Sequence, residues 1–257
     1  MTIDINCDLG ELTGTGKEGI DEAIMQFITS ANIACGLHAG DPLTMERTVL
    51  LAKKYGVAIG AHPGYPDREG FGRNPMPLTE DELRAIMLFQ VRAMKTISEA
   101  LGEKFNHVKC HGALYNKAAT DREMSMVIAK AVKDVDSSLI LVGLSGSEMI
   151  KVAEMTGLQA VSEVFADRAY NDDGTLVSRQ LPGAVLNDSA MIIERAVSMV
   201  IEKKVKSITG KIIPITAETI CIHGDNPAAP RFAESLLTAF RNAGIEVKPV
   251  QKKLKNV

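Results

Sequence analysis

Tryptophan is absent from the 257-residue sequence, aromatic residues make up 4% of it, and there are four cysteines and five histidines. The cysteines, Cys7, Cys35, Cys110 and Cys221, stand far apart, and without a CxxC pair neither a zinc knuckle nor a dithiol redox pair is indicated. In a reducing compartment the expectation is four small buried thiols. No GxGxxG follows the first strand and no GxxxxGK[ST] occurs anywhere, so an open dinucleotide fold and a phosphate loop both lack support. Lys and Arg are spread along helical stretches and the net charge is -3, so no basic stripe speaks for nucleic acid. No apolar segment nears the ~20 residues of a membrane span, and no positively charged start precedes an apolar run. The expected setting is cytoplasmic, with neither nucleic acid nor membrane as partner.

What is present begins at Ile3-Asp4-Ile5-Asn6-Cys7-Asp8. Read as a strand, its period of two sends Ile3, Ile5 and Cys7 to one face and Asp4, Asn6 and Asp8 to the other. An opening strand followed by many strand and helix signals is more naturally central than peripheral, so the polar face is expected to line an interior.

Strand, polar loop and helix then recur about seven times. Ile20 to Thr29 carries a helical stripe, and Ala31 to Gly36 is a strand ending in Gly36-Leu37-His38-Ala39-Gly40-Asp41-Pro42. Asp41 and Pro42 open a helix that Gly56 closes. Val57 to Ala61 ends at His62, and a Gly/Pro-rich loop runs on to Pro77. Capping boxes are expected at Thr79/Glu82, Thr120/Glu123 and Ser145/Glu148. Strands are expected from about His107 to Cys110, ending at His111, over Leu139 to Leu144, and over Ala160 to Val164, ending near Asp167 and Arg168. Residues 168–218 break the rhythm, with a turn at Asn171 to Gly174, a helix from Asp188 to Lys204 and an extra strand at Lys211 to Ile215. Thr219 to Ile222 ends at His223, and Asn226-Pro227 opens a last helix that stops at Gly244. The alternation predicts an α/β fold, a seven-stranded incomplete (β/α) barrel occupying one domain over 1–250, with a frayed tail over 251–257. An eighth strand would need Ile245 to Val247.

In parallel barrels, chemistry sits at the carboxyl ends of the strands. Asp8, His38, His62, His111 and His223 all fall there, with Asp167 and Arg168 at a sixth end. A single such histidine is as readily structural as functional, but four of the five at one rim mark a site. On the fourth strand His107, Lys109 and His111 share a face, so Lys109 requires a carboxylate from Asp4, Asp8 or Glu163. Arg73 and Arg179 follow Gly-containing turns and suit a small carboxylate, while Tyr65, Tyr115 and Tyr170 lie just past strand ends.

The ordered motifs DINCDLGE, NIACGLHAGDP, AHPGYPDREGFGR, HGALYN, EVFADRAY and HGDNP resemble the LamB/YcsF family, the A subunit of prokaryotic 5-oxoprolinase, over residues 3 to about 250. Cys110 stands where the family motif has proline, and Glu11 to Gly14 departs from the usual Glu-Ser-Phe-Gly. The resemblance implies a barrel similar to the polysaccharide deacetylases and ATP-dependent opening of 5-oxoproline to L-glutamate together with B and C subunits. Without a phosphate loop, ATP falls to those partners. In that reaction Asp8 or His111 would be the general base and Lys109 would stabilise negative charge. Asn6, His38, His62, Arg73, Tyr115, Asp167, Arg179 and His223 would position substrate and water. Asp8, His38 and His62 are the candidates to hold a divalent metal. His107 and His111 have HxxxH spacing but would lie about 13 Å apart on a strand, too far to share an ion. A metal-dependent deacetylase or deacylase acting alone, or a non-catalytic ligand-binding subunit, are the rival readings.

Overall fold

The computed structural model describes residues 1–11, 18–223 and 228–252, except for the side chains of Glu18 and His223. Seven parallel strands form the frame: β1 (Thr2–Leu9), β2 (Ser30–Ala34), β3 (Ala58–His62), β4 (Phe105–Lys109), β5 (Ile140–Leu144), β6 (Gln159–Phe165) and β9 (Thr219–His223). They pair in that order, and β9 pairs with both β6 and β1, which closes the ring. β10 (Glu246–Val247) joins only the first residues of β1, so the barrel remains seven-stranded.

Helices return the chain from each strand end to the next strand: α1 (Glu18–Met25), α2 (Pro42–Tyr55), α3 (Glu80–Ala100), α4 (Gly112–Ala118), α5 (Arg122–Val135), α6 (Glu148–Thr156), α7 (Ser189–Glu202) and α8 (Ala229–Asn242). Asp41 caps α2 through Thr44 N–H at 2.9 Å, Pro42 stands in its first turn, and Gly56 ends it at φ 67. The Thr79/Glu82 capping box opens α3. The other two expected boxes do not form. Asp121, not Thr120, caps α5 by accepting from Met124 N–H, and Ser145 instead accepts from Thr216 N–H, a long-range partner that local spacing does not reveal. α1 ends at Met25, short of the expected Thr29, whose hydroxyl serves β1. The extra strand is β8 (Ile212–Pro214), which pairs antiparallel with β7 (Lys204–Lys206) outside the barrel. The loop at 12–17 and the Asn226-Pro227 helix start lie outside the described residues.

The apolar core lies between barrel and helices. Ile3, Ile5, Cys7 and Leu9, all nearly inaccessible, belong to one continuous apolar cluster that takes in helix residues such as Val49, Met87, Val132, Val152 and Leu236. The barrel interior is divided. Ile140, Val142 and Val161 form a small apolar group with Val250, while β1, β2, β3, β4, β6 and β9 contribute polar side chains, Glu163 being that of β6. Gly60 fits this interior because its neighbour is an imidazole: a Cβ there would fall 2.2 Å from His107 Nε2. Gly60→Ala is therefore expected to destabilise the fold by about 1–3 kcal/mol, read as a lower urea midpoint at unchanged m-value.

Asp21 on α1 accepts the Gly10 N–H at 2.9 Å and so helps turn the chain after β1. Burial, reinforced by the Glu11 charge, pushes its carboxyl up from 3.8 to about 6. A carboxyl raised on folding stabilises most when protonated, and that contribution is lost as pH rises through about 6. Asp21→Asn keeps the acceptor without the charge. It is expected to gain on the order of 2 kcal/mol at pH 7 and nothing near pH 4, which thermal unfolding at the two pH values would measure.

Candidate active site

The polar face of β1 lines the barrel. At the bottom, Asp4 accepts hydrogen bonds from the hydroxyls of Thr29, Ser30 and Thr219. It does not pair with Lys109, for which it is one of the three expected carboxylates, because these hydroxyls already satisfy it. Burial raises its carboxyl above the ordinary range despite them. One layer up, Asn6 donates to Glu163 Oε1 at 2.9 Å and to Thr219, while Asn32 donates to Asn6 and Asp8. His107 donates Nε2–H to Asn32 Oδ1 at 2.8 Å, and burial holds it neutral at about 3.

Lys109 carries the balancing charge. Its ammonium lies 2.9 Å from both Asp8 Oδ1 and Glu163 Oε1, and 3.1 Å from both Asn6 Oδ1 and Cys221 Sγ. Burial would lower its pKa, but the carboxylates outweigh burial and hold it well above the usual lysine range. Its three N–H groups are taken by the protein, so Lys109 compensates carboxylates and does not face an oxyanion. Burial pushes the thiols of Cys35 and Cys110 up to about 12 and raises Cys7 and Cys221 well above the ordinary value, so none is an activated nucleophile.

At the mouth, four groups converge: Glu11 Oε1, His38 Nε2, His62 Nε2 and His111 Nδ1. Their spacings are short, with His111 Nδ1 3.0 Å from His62 Nε2 and 3.1 Å from Glu11, and His38 3.3 Å from Glu11. Backbone carbonyls fix two tautomers, since a carbonyl can only accept. His62 Nδ1–H donates to Lys109 O at 2.7 Å and His111 Nε2–H to Phe71 O at 2.7 Å. Two bare lone pairs would then face each other at 3.0 Å unless a proton or a cation lies between them. Burial would lower His62, but Asp8, 3.3 Å from its Nε2, and Glu11 raise it. Burial also outweighs Glu11 at His38, leaving that ring neutral at about 4. Burial would raise Glu11, but its histidine partners bring it down to about 2. Asp8 is likewise held well below the carboxylate range by His62 and Lys109 despite burial.

A strapped loop roofs this cluster. Phe71 adopts φ 55, which turns its carbonyl onto His111, and Gly72 leaves no room for a Cβ, which would meet His111 Cδ2 at 2.8 Å and His38 Cβ at 2.9 Å. Asp67 accepts the N–H groups of Gly70 and Asn74, Arg68 binds the carbonyls of Gly36 and Gly40, and Gln90 binds both backbone groups of Gly64. Asp8 and Glu11, 16% and 12% exposed, are what the cluster presents at the mouth.

The structure thus brings together Asn6, Asp8, His38, His62, Lys109 and His111. Arg73 is exposed, with its guanidinium over the Phe71 ring at 5.0 Å. Tyr115 is buried against Phe165 near Glu163. Asp167 lines a cavity of about 160 Å³ with Asn187, Ser189 and Phe232, which Cys221 also borders. Arg179 is exposed beside Arg168, whose guanidinium binds the Val177 and Ala184 carbonyls. Tyr65 and Tyr170 are packed, the latter accepting Phe165 N–H. The backbone of His223 lies opposite Asp8, and its side chain is outside the described residues. Of the expected metal ligands His38 and His62 belong to the converging group, whereas Asp8 stands behind His62. Glu11 is the member of the group that the strand-end pattern misses. Its one local signal is a carboxylate directly after Gly10, whose φ of 68 folds it back over the strand end.

A chain named as the A subunit of 5-oxoprolinase from Thermococcus onnurineus is 51% identical over 250 residues, covering 97% of this chain and 98% of that one. Another of that name from Geobacillus thermodenitrificans is 49% identical over 251 residues, covering 98% of each. The crystal structure of the lactam utilization protein from Thermus thermophilus superposes with a TM-score of 0.90 at 43% identity, covering 97% of this chain and all of that one. With the LamB/YcsF family model matching residues 3–255, and so taking in all of the barrel but the first residue of β1 and the whole of the cluster, the chain belongs to the LamB/YcsF family.

Proposed function

We propose that this chain is the A subunit of a 5-oxoprolinase, hydrolysing the cyclic amide 5-oxoproline to L-glutamate with B and C subunits that handle ATP in the cytoplasm. The observation that carries this reading is the near-full-length likeness, at about half identity, to chains bearing that name. Among the described residues no helix is long and apolar enough to cross a membrane.

The geometry suits attack of water on an activated amide carbon. Asp8 and Glu11 are ionised acceptors at the mouth and hold the water. Their depressed pKa values make them poor bases, so the proton passes to the His62–His111 pair, and both carboxylates stabilise the imidazolium that results. Of the two expected candidates for the base, Asp8 and His111, this selects His111 with its neighbour. The Phe71 and Lys109 carbonyls keep the two rings oriented, and the roof limits water to the mouth.

The donor set also fits a divalent cation. Three imidazole nitrogens and a carboxylate converge, two of the rings anchored through their far N–H, as metal-binding histidines commonly are. With the rings neutral, the formal charges of Asp8, Glu11, Glu163 and Lys109 leave a surplus of two negative charges, which a divalent ion would cancel. Glu11, His38, His62 and His111 would hold it, and when bound it would supply Lewis acidity and a more acidic water. That group also favours the second reading, a metal-dependent deacylase acting alone.

An assay of glutamate release from 5-oxoproline and ATP separates the readings. Release is expected only when this chain is combined with B and C subunits, and the chain alone is expected to hydrolyse no ATP. Amide hydrolysis by the isolated, metal-loaded chain without ATP would favour the deacylase.

A further inference from the structure

Two buried polar atoms beside Lys109 have no partner among the described residues: Glu163 Oε2 and the Tyr115 hydroxyl. Glu163 is fully buried and Tyr115 is 4% exposed. The other carboxylate oxygen, Oε1, is occupied by Lys109 and Asn6, so the free one is held in a fixed direction. Tyr115 is fixed too, because α4 starts directly after His111 and its ring packs edge-on against Phe165 at 5.9 Å. Burial, followed by the Glu163 charge, raises the hydroxyl well above the usual tyrosine value, so it stays a donor. The Glu163 carboxylate acts on the hydroxyl both as a charge and at the edge of hydrogen-bond reach, but neither Oε2 nor the hydroxyl completes a hydrogen bond of good geometry. A buried acceptor and a buried donor left side by side are costly unless something fills both.

The complement is a molecule whose edge offers a donor next to an acceptor. In an ordinary trans amide N–H and C=O point in opposite directions. A five-membered lactam forces the amide cis, so N–H and C=O lie together on one edge. We infer that Glu163 Oε2 and the Tyr115 hydroxyl form a lactam-reading pair, the carboxylate accepting the ring N–H and the phenol donating to the ring carbonyl. Lys109 bridges Glu163 to Asp8 with 2.9 Å on each side, so a lactam held there lies within about one small ring of the proposed water-binding carboxylates. This inference rests on the ring-opening reading and adds how the substrate class is chosen, rejecting open-chain amides of similar size.

Tyr115→Phe is the informative variant, since it deletes a hydroxyl with no protein partner and should leave the unfolding temperature unchanged or slightly higher. In the assembly with B and C subunits, it is expected to raise KM for 5-oxoproline by about tenfold or more, with a smaller change in kcat. N-methyl-5-oxoproline, which lacks the donor, and N-acetylglycine, an open-chain amide acid, should inhibit wild type at least about tenfold more weakly than 5-oxoproline binds. An unchanged KM in Tyr115→Phe, or an N-methyl lactam that binds as well as the parent, would overturn the pair while leaving the function standing. Absence of glutamate release by the wild-type assembly would instead remove the function itself.

Discussion

Asp8→Asn lowers glutamate release by ~10² or more while leaving the fold nearly intact: that is the expected result of removing one charge from the mouth. Asparagine preserves the side chain's size, and its Oδ1 still accepts from Asn32 and Lys109. What changes is the atom facing His62 Nε2 at 3.3 Å, where an acceptor becomes a donor. The His62–His111 pair then loses the carboxylate that stabilises its imidazolium, and the water loses one of its two acceptors. Stability falls little because Lys109 keeps Glu163. Turnover and melting temperature measured together decide the matter. Wild-type turnover would remove Asp8 from the chemistry and leave Glu11 with the two histidines.

Lys109→Met is expected to do the opposite, acting first on stability. It leaves the half-buried Asp8 and the fully buried Glu163 without their shared cation, an arrangement that typically costs about 3–5 kcal/mol. Urea unfolding followed by circular dichroism would read the loss. Adding Glu163→Gln should recover part of it, because one of the two stranded charges is gone. If Lys109→Met unfolds at the wild-type denaturant concentration, the ammonium does not compensate these carboxylates and the barrel's charge balance must be explained otherwise.

Much of the fold is legible in the sequence because it depends on local periodicity. The alternation of Asp4, Asn6 and Asp8 with Ile3, Ile5 and Cys7 does divide a polar interior from an apolar outer layer. His38, His62 and His111 at successive strand ends do converge, since parallel strands in a closed ring must place those ends at one rim. What local spacing does not reveal is which partner each group finds across the barrel. Asp4 meets three hydroxyls from β1's neighbours rather than Lys109, and Ser145 turns from its own helix to Thr216. Asn32 sits mid-strand among apolar residues, so nothing nearby marks it as the link between His107, Asn6 and Asp8. The Phe71 carbonyl is a backbone group aimed by a left-handed φ at a bulky residue, which the residue type argues against.

The central claim is that 5-oxoproline is opened at the barrel mouth, and the most direct measurement is a crystal structure of the chain with 5-oxoproline bound. The account predicts the lactam ring between Tyr115 and Asp8, its amide edge toward Glu163 and its carbonyl carbon facing Glu11, His62 and His111. Ligand bound outside the mouth, for example in the cavity beside Asp167 and Ser189, with no density near the histidines, would contradict it.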